Sequence, residues 1–160
     1  MKSLINAVPS VLYPATFRRI ANWATKRSKF ICTHGAWLTS DLIDLATKMG
    51  VAHPEKIRIY SSSTATLIDD DKVNKLLLKF GFSADRTCAL TLFHSIALNK
   101  ACAKNLVILA HQFRHVAQFE SCGSLELYLE NYLMEIAYFG YGKGPLEVDA
   151  HIASNRIEFS

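Results

Sequence analysis

Several features are missing from this sequence, and each absence narrows its class. No stretch approaches the ~18 consecutive apolar residues that a membrane-spanning helix requires, so no transmembrane segment is predicted. The opening apolar run is interrupted by Asn6, Pro9 and Pro14, and no signal-peptide cleavage site follows, which favours a cytoplasmic protein. Repeats are absent as well. With 160 residues and 50% hydrophobic composition, the chain is expected to form one domain with a substantial core.

Cysteine is scarce, and none of the four cysteines has C-x-x-C spacing. Cys32, Cys88, Cys102 and Cys122 each lie among apolar or small residues. Buried free thiols in a reducing compartment are therefore expected, and a disulfide framework is the less favoured alternative for a domain of this size.

Acidic residues are absent before Asp41, whereas six basic residues precede it: Lys2, Arg18, Arg19, Lys26, Arg27 and Lys29. The pattern predicts a basic amphipathic helix over 15–29, within an N-terminal arm (1–37) that packs on or leads into a domain of residues 38–160. Such an arm can attract an anionic membrane surface, a nucleic-acid backbone or a partner protein. The alternative is a solvated helix face. No aromatic–basic motif accompanies the cations, so no specific nucleic-acid motif is identified.

Hydrophobic periodicity predicts an α+β fold, rich in helices, with a small sheet packed on one central helix. The predicted helices cover about 15–29, 41–49, 69–80, 104–120 and 124–138, and a last helix opens at Pro145. A strand is predicted at 56–60, and residues 87–99 form either one bent strand or a tight pair. The helix over 104–120 is apolar nearly all round in its first half, which marks it as the buried one.

Two histidines on that helix are the most informative residues of the chain. His111 and His115 are four positions apart, so their imidazoles lie one above the other and can reach one metal ion. Glu147, in the first turn of the last helix, could add a carboxylate and complete a three-ligand site with one open position. Arg114 faces away from the pair and is expected to form a salt bridge or reach solvent. The alternative for the histidines is burial with hydrogen bonds only.

Three stretches extend this pattern beyond the histidine pair. They are His111-Gln112-Phe113-Arg114-His115-Val116-Ala117-Gln118-Phe119-Glu120, Tyr138-Phe139-Gly140-Tyr141 and Pro145-Leu146-Glu147-Val148-Asp149-Ala150. Together they resemble the small bacterial zincin-like metallopeptidases, whose pattern is a His-Glu-x-x-His-Val-x-Gln helix, a Gly-rich turn, another helix, then Gly-Tyr and Pro-Leu-Glu segments. The resemblance covers residues 109–150 and reaches weakly back through 91–96 and 49–55.

The resemblance implies one Zn²⁺ ion with three protein ligands, as in the gluzincin group: His111, His115 and Glu147. It also implies that Gln118 and Asp149 support the ligands, because a ligand imidazole usually donates its second N–H to such a partner. His151 stands where related peptidases often carry a supporting Asp, and it could accept a hydrogen bond or itself approach the metal. The alternative for these three residues is a place on the solvated surface.

Gln112 is the departure from the family pattern that bears most on function. The peptidases carry a Glu there, which takes a proton from water and delivers it to the leaving amine. An amide cannot do this, and losing a general base costs ~10²–10⁴-fold in rate. The expected protein is therefore a zinc-binding, metallopeptidase-like protein with impaired or no catalysis, either a natural pseudoenzyme or an engineered inactive variant. A non-enzymatic module that binds through its basic N-terminal helix is the competing hypothesis.

Other residues could act beside the metal. Glu120 lies nine positions after His111, on the order of 13 Å along the helix axis, which is too far to replace the missing base. His94 could do so only if its strand passes over the metal. Tyr141 could hydrogen-bond a developing oxyanion, or it could simply pack in the core or a lid. A peptide ligand could add as a strand to the extended region that precedes the central helix.

Overall fold

The computed structural model describes residues 14–63, 67–83 and 86–157. Within these ranges the chain forms six α-helices and four strands, which confirms the α+β fold class. In chain order they are α1 (Pro14–His34), β1 (Ala36–Trp37), α2 (Ser40–Lys48), β2 (Arg58–Ser62), α3 (Asp71–Leu78), β3 (Ala89–Leu92), β4 (Ser95–Asn99), α4 (Leu106–Cys122), α5 (Leu125–Phe139) and α6 (Pro145–Asn155). No helix in these ranges is both long and apolar enough to cross a membrane.

The four strands form one mixed sheet in the order β1-β2-β4-β3. β2 runs parallel to β4, and the other two pairings are antiparallel. Residues 87–99 are thus a tight pair rather than one bent strand. The turn between β3 and β4 contains Phe93, whose φ of 61° is positive, and His94. The Phe93 ring lies 4.5 Å from that of Phe119 on α4, so the hairpin tip is packed against the central helix.

Several helix and strand boundaries differ from those expected, two of them for local reasons. α3 begins at Asp71 rather than 69, because the Asp70 side chain caps it by accepting hydrogen bonds from two backbone N–H groups of its first turn. β2 begins at Arg58 rather than 56, because Pro54–Lys56 forms a 3₁₀ turn. α1 continues to His34, beyond the expected end at 29.

Side chains pack on both faces of the sheet, since successive strand residues point to opposite sides. From β4, Ile96 and Leu98 pack with the apolar residues of α2 and α4, including the fully buried Phe113. Ala97 faces the other way and packs on Ile31 of α1. α1 therefore contributes to the core, whereas the division of the chain near residue 37 stays a prediction.

The expectation of four free thiols is wrong, because Cys88 and Cys102 form a disulfide. Cys88 directly precedes β3 and Cys102 follows β4, so the antiparallel pairing of these strands brings the two Cα atoms to 6.0 Å. Cys32 and Cys122 are free, and Cys32 is exposed rather than buried. A cytoplasmic location stays a prediction, now without the support of free thiols.

Candidate metal centre

α4 carries the two histidines, and both of its ends are specified by local sequence. The Asn105 side chain caps the start by accepting hydrogen bonds from the N–H groups of Val107 and Ile108. Gly123, with φ of 79°, ends the helix in the left-handed conformation that glycine adopts without strain. Between them the helix buries eight residues. The metal-binding candidates are thus held on a rigid, largely enclosed element.

The structure brings His111, His115 and Glu147 together in a group that could hold a metal ion. The two Nε2 atoms are 3.0 Å apart. Glu147 Oε2 lies 3.2 Å from Nε2 of His111, and Oε1 lies 3.4 Å from Nε2 of His115. The side chains are 21%, 6% and 12% exposed, in the order His111, His115 and Glu147. Glu147 reaches the histidines because Pro145 opens α6 and sets the carboxylate in its first turn.

These separations fit a tetrahedral metal ion. Zinc–ligand bonds of about 2.0–2.1 Å at tetrahedral angles place neighbouring donor atoms roughly 3.3–3.4 Å apart. In the triad the two Nε2 atoms are 3.0 Å apart, and each lies 3.2–3.4 Å from one of the two Glu147 oxygens, so that one ligand atom from each residue lies within 4.8 Å of the others. Two imidazoles and one carboxylate are also a donor set of catalytic zinc sites, which leave a fourth position open. The residues present therefore suit the group that the resemblance implies.

The orientation of His115 is set by a chain of hydrogen bonds. Its Nδ1 lies 2.8 Å from Oε1 of Gln118, and an amide oxygen can only accept, so Nδ1 donates this hydrogen bond, which in the neutral imidazole leaves the lone pair on Nε2. The Gln118 amide donates in turn to Asp149 Oδ2 at 2.7 Å and to the carbonyl oxygen of Leu146 at 2.9 Å. Gln118 and Asp149 thus connect α4 to α6 behind the histidine.

Arg114 extends this chain on the side away from the triad. Its guanidinium donates two hydrogen bonds to Asp149, at 2.8 and 3.1 Å, and a third to the carbonyl oxygen of Met49. The guanidinium and the hydrogen bond from Gln118 hold the pKa of Asp149 below its ordinary value. The expected salt bridge of Arg114 is therefore present.

Two tyrosines of α5 complete the surroundings of the triad, and the sequence reading missed both. The Tyr132 hydroxyl donates to Glu147 Oε1 at 2.6 Å, and the Tyr128 hydroxyl lies 3.3 Å from Nδ1 of His115. Burial and the neighbouring Glu147 raise the pKa of both phenols, so both stay protonated at neutral pH. The sequence feature that could have identified the two tyrosines is their four-residue spacing, which places both on one face of the helix.

Glu147 is ionised in this setting. Burial raises its pKa, but contacts with His111, His115 and Tyr132 outweigh burial and bring the pKa well below its ordinary value. The N–H of Leu146 donates to the Glu135 carboxylate at 2.8 Å, which fixes the first turn of α6 against α5. Burial raises the pKa of Glu135. The pKa values of the two neighbouring carboxyls, Glu135 and Glu147, are therefore shifted in opposite directions.

Gln112 is buried beside the triad and is 8% exposed. Its side-chain oxygen accepts a hydrogen bond of 2.8 Å from the Thr91 hydroxyl of β3. The hydroxyl can reach the backbone carbonyl oxygen of Gln112 as well, at 3.3 Å. The amide is therefore held in place between the edge strand and the central helix.

His94 and Glu120 contact each other, away from the triad. His94 is bound by Glu120 at 2.7 Å, and Glu120 also accepts from the backbone N–H groups of Ala52 and His53. His94 does not line the cavity that contains the triad, among the residues described. Glu120 thus holds the loop at Ala52 and His53, at the far end of α4 from His111.

Tyr141 and His151 do line that cavity. The Tyr141 ring packs edge-on against Phe82, and its hydroxyl lies 3.4 Å from the hydroxyl of Thr87. His151 is exposed, and its Nε2 lies 3.0 Å from the amide nitrogen of Asn155. It belongs neither to the triad nor to the hydrogen bonds behind His115.

The cavity beside the triad has a volume of about 310 Å³ and is bounded by β3, α4, α5 and α6, with α1 and α3 behind them. Its wall is polar at the triad and at Gln112. The rest of its lining is largely apolar and includes Ile20, Trp23, Leu77, Phe82, Leu92 and Leu133. A few polar groups at one side of an apolar chamber are typical of small-ligand sites.

Comparison of the chain with protein-family models, with curated proteins and with solved structures finds no match in any of the three. The resemblance to zincin-like metallopeptidases therefore depends on the motifs of α4 and α6. What the structure establishes is an α+β domain in which His111, His115 and Glu147 form a possible metal-binding group.

Proposed function

We propose that this chain is a zinc-binding, metallopeptidase-like protein that holds a peptide beside the metal and hydrolyses it poorly or not at all. The observation that supports this most is that the two Nε2 atoms lie 3.0 Å apart and each lies within 3.4 Å of a Glu147 oxygen, at the wall of a cavity. Zinc is the proposed metal because a His₂Glu donor set with an open position suits it.

The residues around the triad have separable roles in this proposal. Gln118 keeps the Nε2 lone pair of His115 directed at the ion, and Tyr132 orients the Glu147 carboxylate. A zinc ion held there would supply Lewis-acid chemistry toward a carbonyl oxygen of the ligand. Gln112 can hydrogen-bond the ligand but cannot take a proton from the attacking water, which is the reason for the impaired hydrolysis.

The proposed ligand is a peptide because of the strand beside the site. β3 pairs with β4 alone among the strands described, so its other edge can accept a further strand. Thr91, in the middle of β3, contacts Gln112, so the strand runs directly past the triad. A peptide in this position could place an apolar side chain against the apolar lining of the cavity, where apolar area is removed from water.

The test is the metal content of the full chain, measured by elemental mass spectrometry after purification without added zinc. The expected result is close to one zinc per chain, lost in His111→Ala and kept in the control His53→Ala, a histidine exposed outside the site. A chain that takes up no zinc even after reconstitution would refute the proposal and leave His111 and His115 as structural residues.

A further inference from the structure

A second surface of the molecule is formed by the exposed side of α1. Arg18, Arg19, Lys26 and Lys29 are all exposed on this helix. The net charge of the whole chain is +4, and no acidic residue occurs within α1 to offset these cations. The opposite side of α1, with Ile20 and Ala24, is buried in the core. The cations therefore form a solvent-facing strip that is fixed to a rigid element.

Aromatic side chains reach this strip from β1 and β2. Trp37 of β1 is 69% exposed although one face of its ring is covered by the guanidinium of Arg58, which lies 2.6 Å from the ring centroid. The two residues are paired across β1 and β2. Tyr60 follows two positions after Arg58, on the same face of β2. An aromatic ring with one open face thus stands next to a cation.

Phe30 joins the two groups. It is 37% exposed, and its ring lies 5.1 Å from that of Tyr60. On α1 it is one helical turn after Lys26, so the two side chains are neighbours on the helix surface. Lys29 precedes it in the chain, and the ring stacks on that of His34 at 4.3 Å. We call these six residues the α1–β2 surface: Lys26, Lys29, Phe30, Trp37, Arg58 and Tyr60. Arg27 is not included, because it pairs with Asp69 at 3.1 Å and its side chain is only 10% exposed.

We infer that the α1–β2 surface binds single-stranded nucleic acid. Lysine ammonium groups contact the phosphates, and an unpaired base stacks on the open face of Trp37. A duplex hides its base faces, so it can use the lysines but not the aromatic rings. A lipid surface fits less well, because inserting Trp37 would carry the Arg58 guanidinium out of water with it. This surface shares no residue with the triad or its cavity.

The test is fluorescence anisotropy of the full chain with a labelled oligothymidylate of about 20 nucleotides, long enough for one binding site. The variants are Lys26→Ala/Lys29→Ala and Trp37→Ala, all of them exposed positions. The matched control is Lys100→Ala/Lys104→Ala, two exposed lysines; Lys100 follows β4, at the far end of the sheet from Arg58. The same measurement is made with a duplex of equal length and with phosphatidylcholine vesicles containing about 30% phosphatidylserine.

The expected result is tighter binding to the single strand than to the duplex. Trp37→Ala weakens single-strand binding by about 5- to 150-fold, since each stacked base contributes ~1–3 kcal/mol. The double variant Lys26→Ala/Lys29→Ala makes the slope of log K against log salt less negative by about 1.4, because two phosphate contacts are lost. The control double variant changes neither. Equal binding of duplex and single strand, a neutral Trp37→Ala, or binding to vesicles without binding to the oligonucleotide would each overturn the inference.

Discussion

Among single residues, Gln112 stands where the resembling peptidases carry the carboxylate that moves protons. Its amide oxygen accepts a hydrogen bond from Thr91, so the position is already shaped for a side chain of this length. A glutamate can accept the same bond with one carboxylate oxygen and keep the second available. The difference between the two side chains is therefore acid–base capacity rather than fit.

The substitution Gln112→Glu is expected to raise peptide hydrolysis by ~10²–10⁴-fold in the zinc-loaded protein, because it supplies a general base. The measurement is cleavage of a broad library of peptides with apolar side chains, followed by mass spectrometry. Gln112→Asn serves as the control without a carboxylate. A zinc-loaded Glu variant that is inert toward the whole library would argue against any peptidase ancestry of the site.

Tyr132→Phe removes the hydroxyl that donates to Glu147. We expect zinc affinity to fall by about 10- to 100-fold, because the carboxylate loses the partner that orients it. Competition with a fluorescent chelator measures this change. The control is Tyr138→Phe, on the same helix but 61% exposed. Equal affinities of the two variants would show that the hydrogen bond to Glu147 has no effect on metal binding.

Among the secondary-structure elements, the β3–β4 hairpin and α4 depend on each other. The hairpin lines one wall of the cavity with β3, and its tip packs on Phe119 of α4. Its open end is closed by the disulfide between Cys88 and Cys102, four residues before α4 begins. The covalent link thus ties the edge strand to the approach of the helix that carries the histidines.

Replacing this disulfide by Cys88→Ser/Cys102→Ser is expected to lower the free energy of unfolding by ~3 kcal/mol, from the added entropy of an unfolded chain without its 14-residue loop. Urea denaturation under non-reducing conditions measures it, with Cys32→Ser/Cys122→Ser as the matched control. Thiol titration of the denatured, unreduced protein should find two free thiols. Four free thiols would mean that the disulfide is absent.

For the whole molecule, acid should be destabilising because carboxyls that accept hydrogen bonds or pair with cations, such as Glu120 and Asp149, hold their protons less tightly when folded. At Glu120, burial raises the pKa, but backbone N–H groups of Ala52 and His53 and the imidazole of His94 outweigh it and lower the pKa. A carboxyl whose pKa is lower in the folded state stabilises the fold above its unfolded pKa. That contribution is lost as pH falls through the folded pKa.

Glu120→Gln should therefore reduce the free energy of unfolding by ~1–3 kcal/mol at pH 7, since it weakens charge-assisted hydrogen bonds. The gap to the unmodified chain should narrow as the pH falls below the ordinary carboxyl value of 4.5. Thermal melts between pH 7 and pH 3 measure both effects. Glu130→Gln, at an exposed position of α5, is the control. A gap that does not change with pH would contradict the assigned role of Glu120.

Local patterns predicted much of this protein. The four-residue spacing of His111 and His115 determines that both lie on one face of a helix, whatever that helix packs against. Helix ends are marked by Asn105, Gly123 and Pro145, which act through backbone conformation or hydrogen bonds within a few residues. Helix periodicity and capping depend on neighbours in the chain, which is why the fold class and the histidine pair could be predicted before the structure.

Contacts between distant segments were decided only by the tertiary structure. Tyr132 read as an apolar helix residue until packing placed its hydroxyl against Glu147. The Cys88–Cys102 pairing depended on a hairpin whose existence the sequence left open. The basic helix showed no aromatic–basic motif in sequence, yet the sheet brings Tyr60 against Phe30 and places Arg58 on Trp37. The sequence by itself determined which chemical groups each element carries and on which face. Only packing, which brings elements together across many intervening residues, decided which of those groups meet.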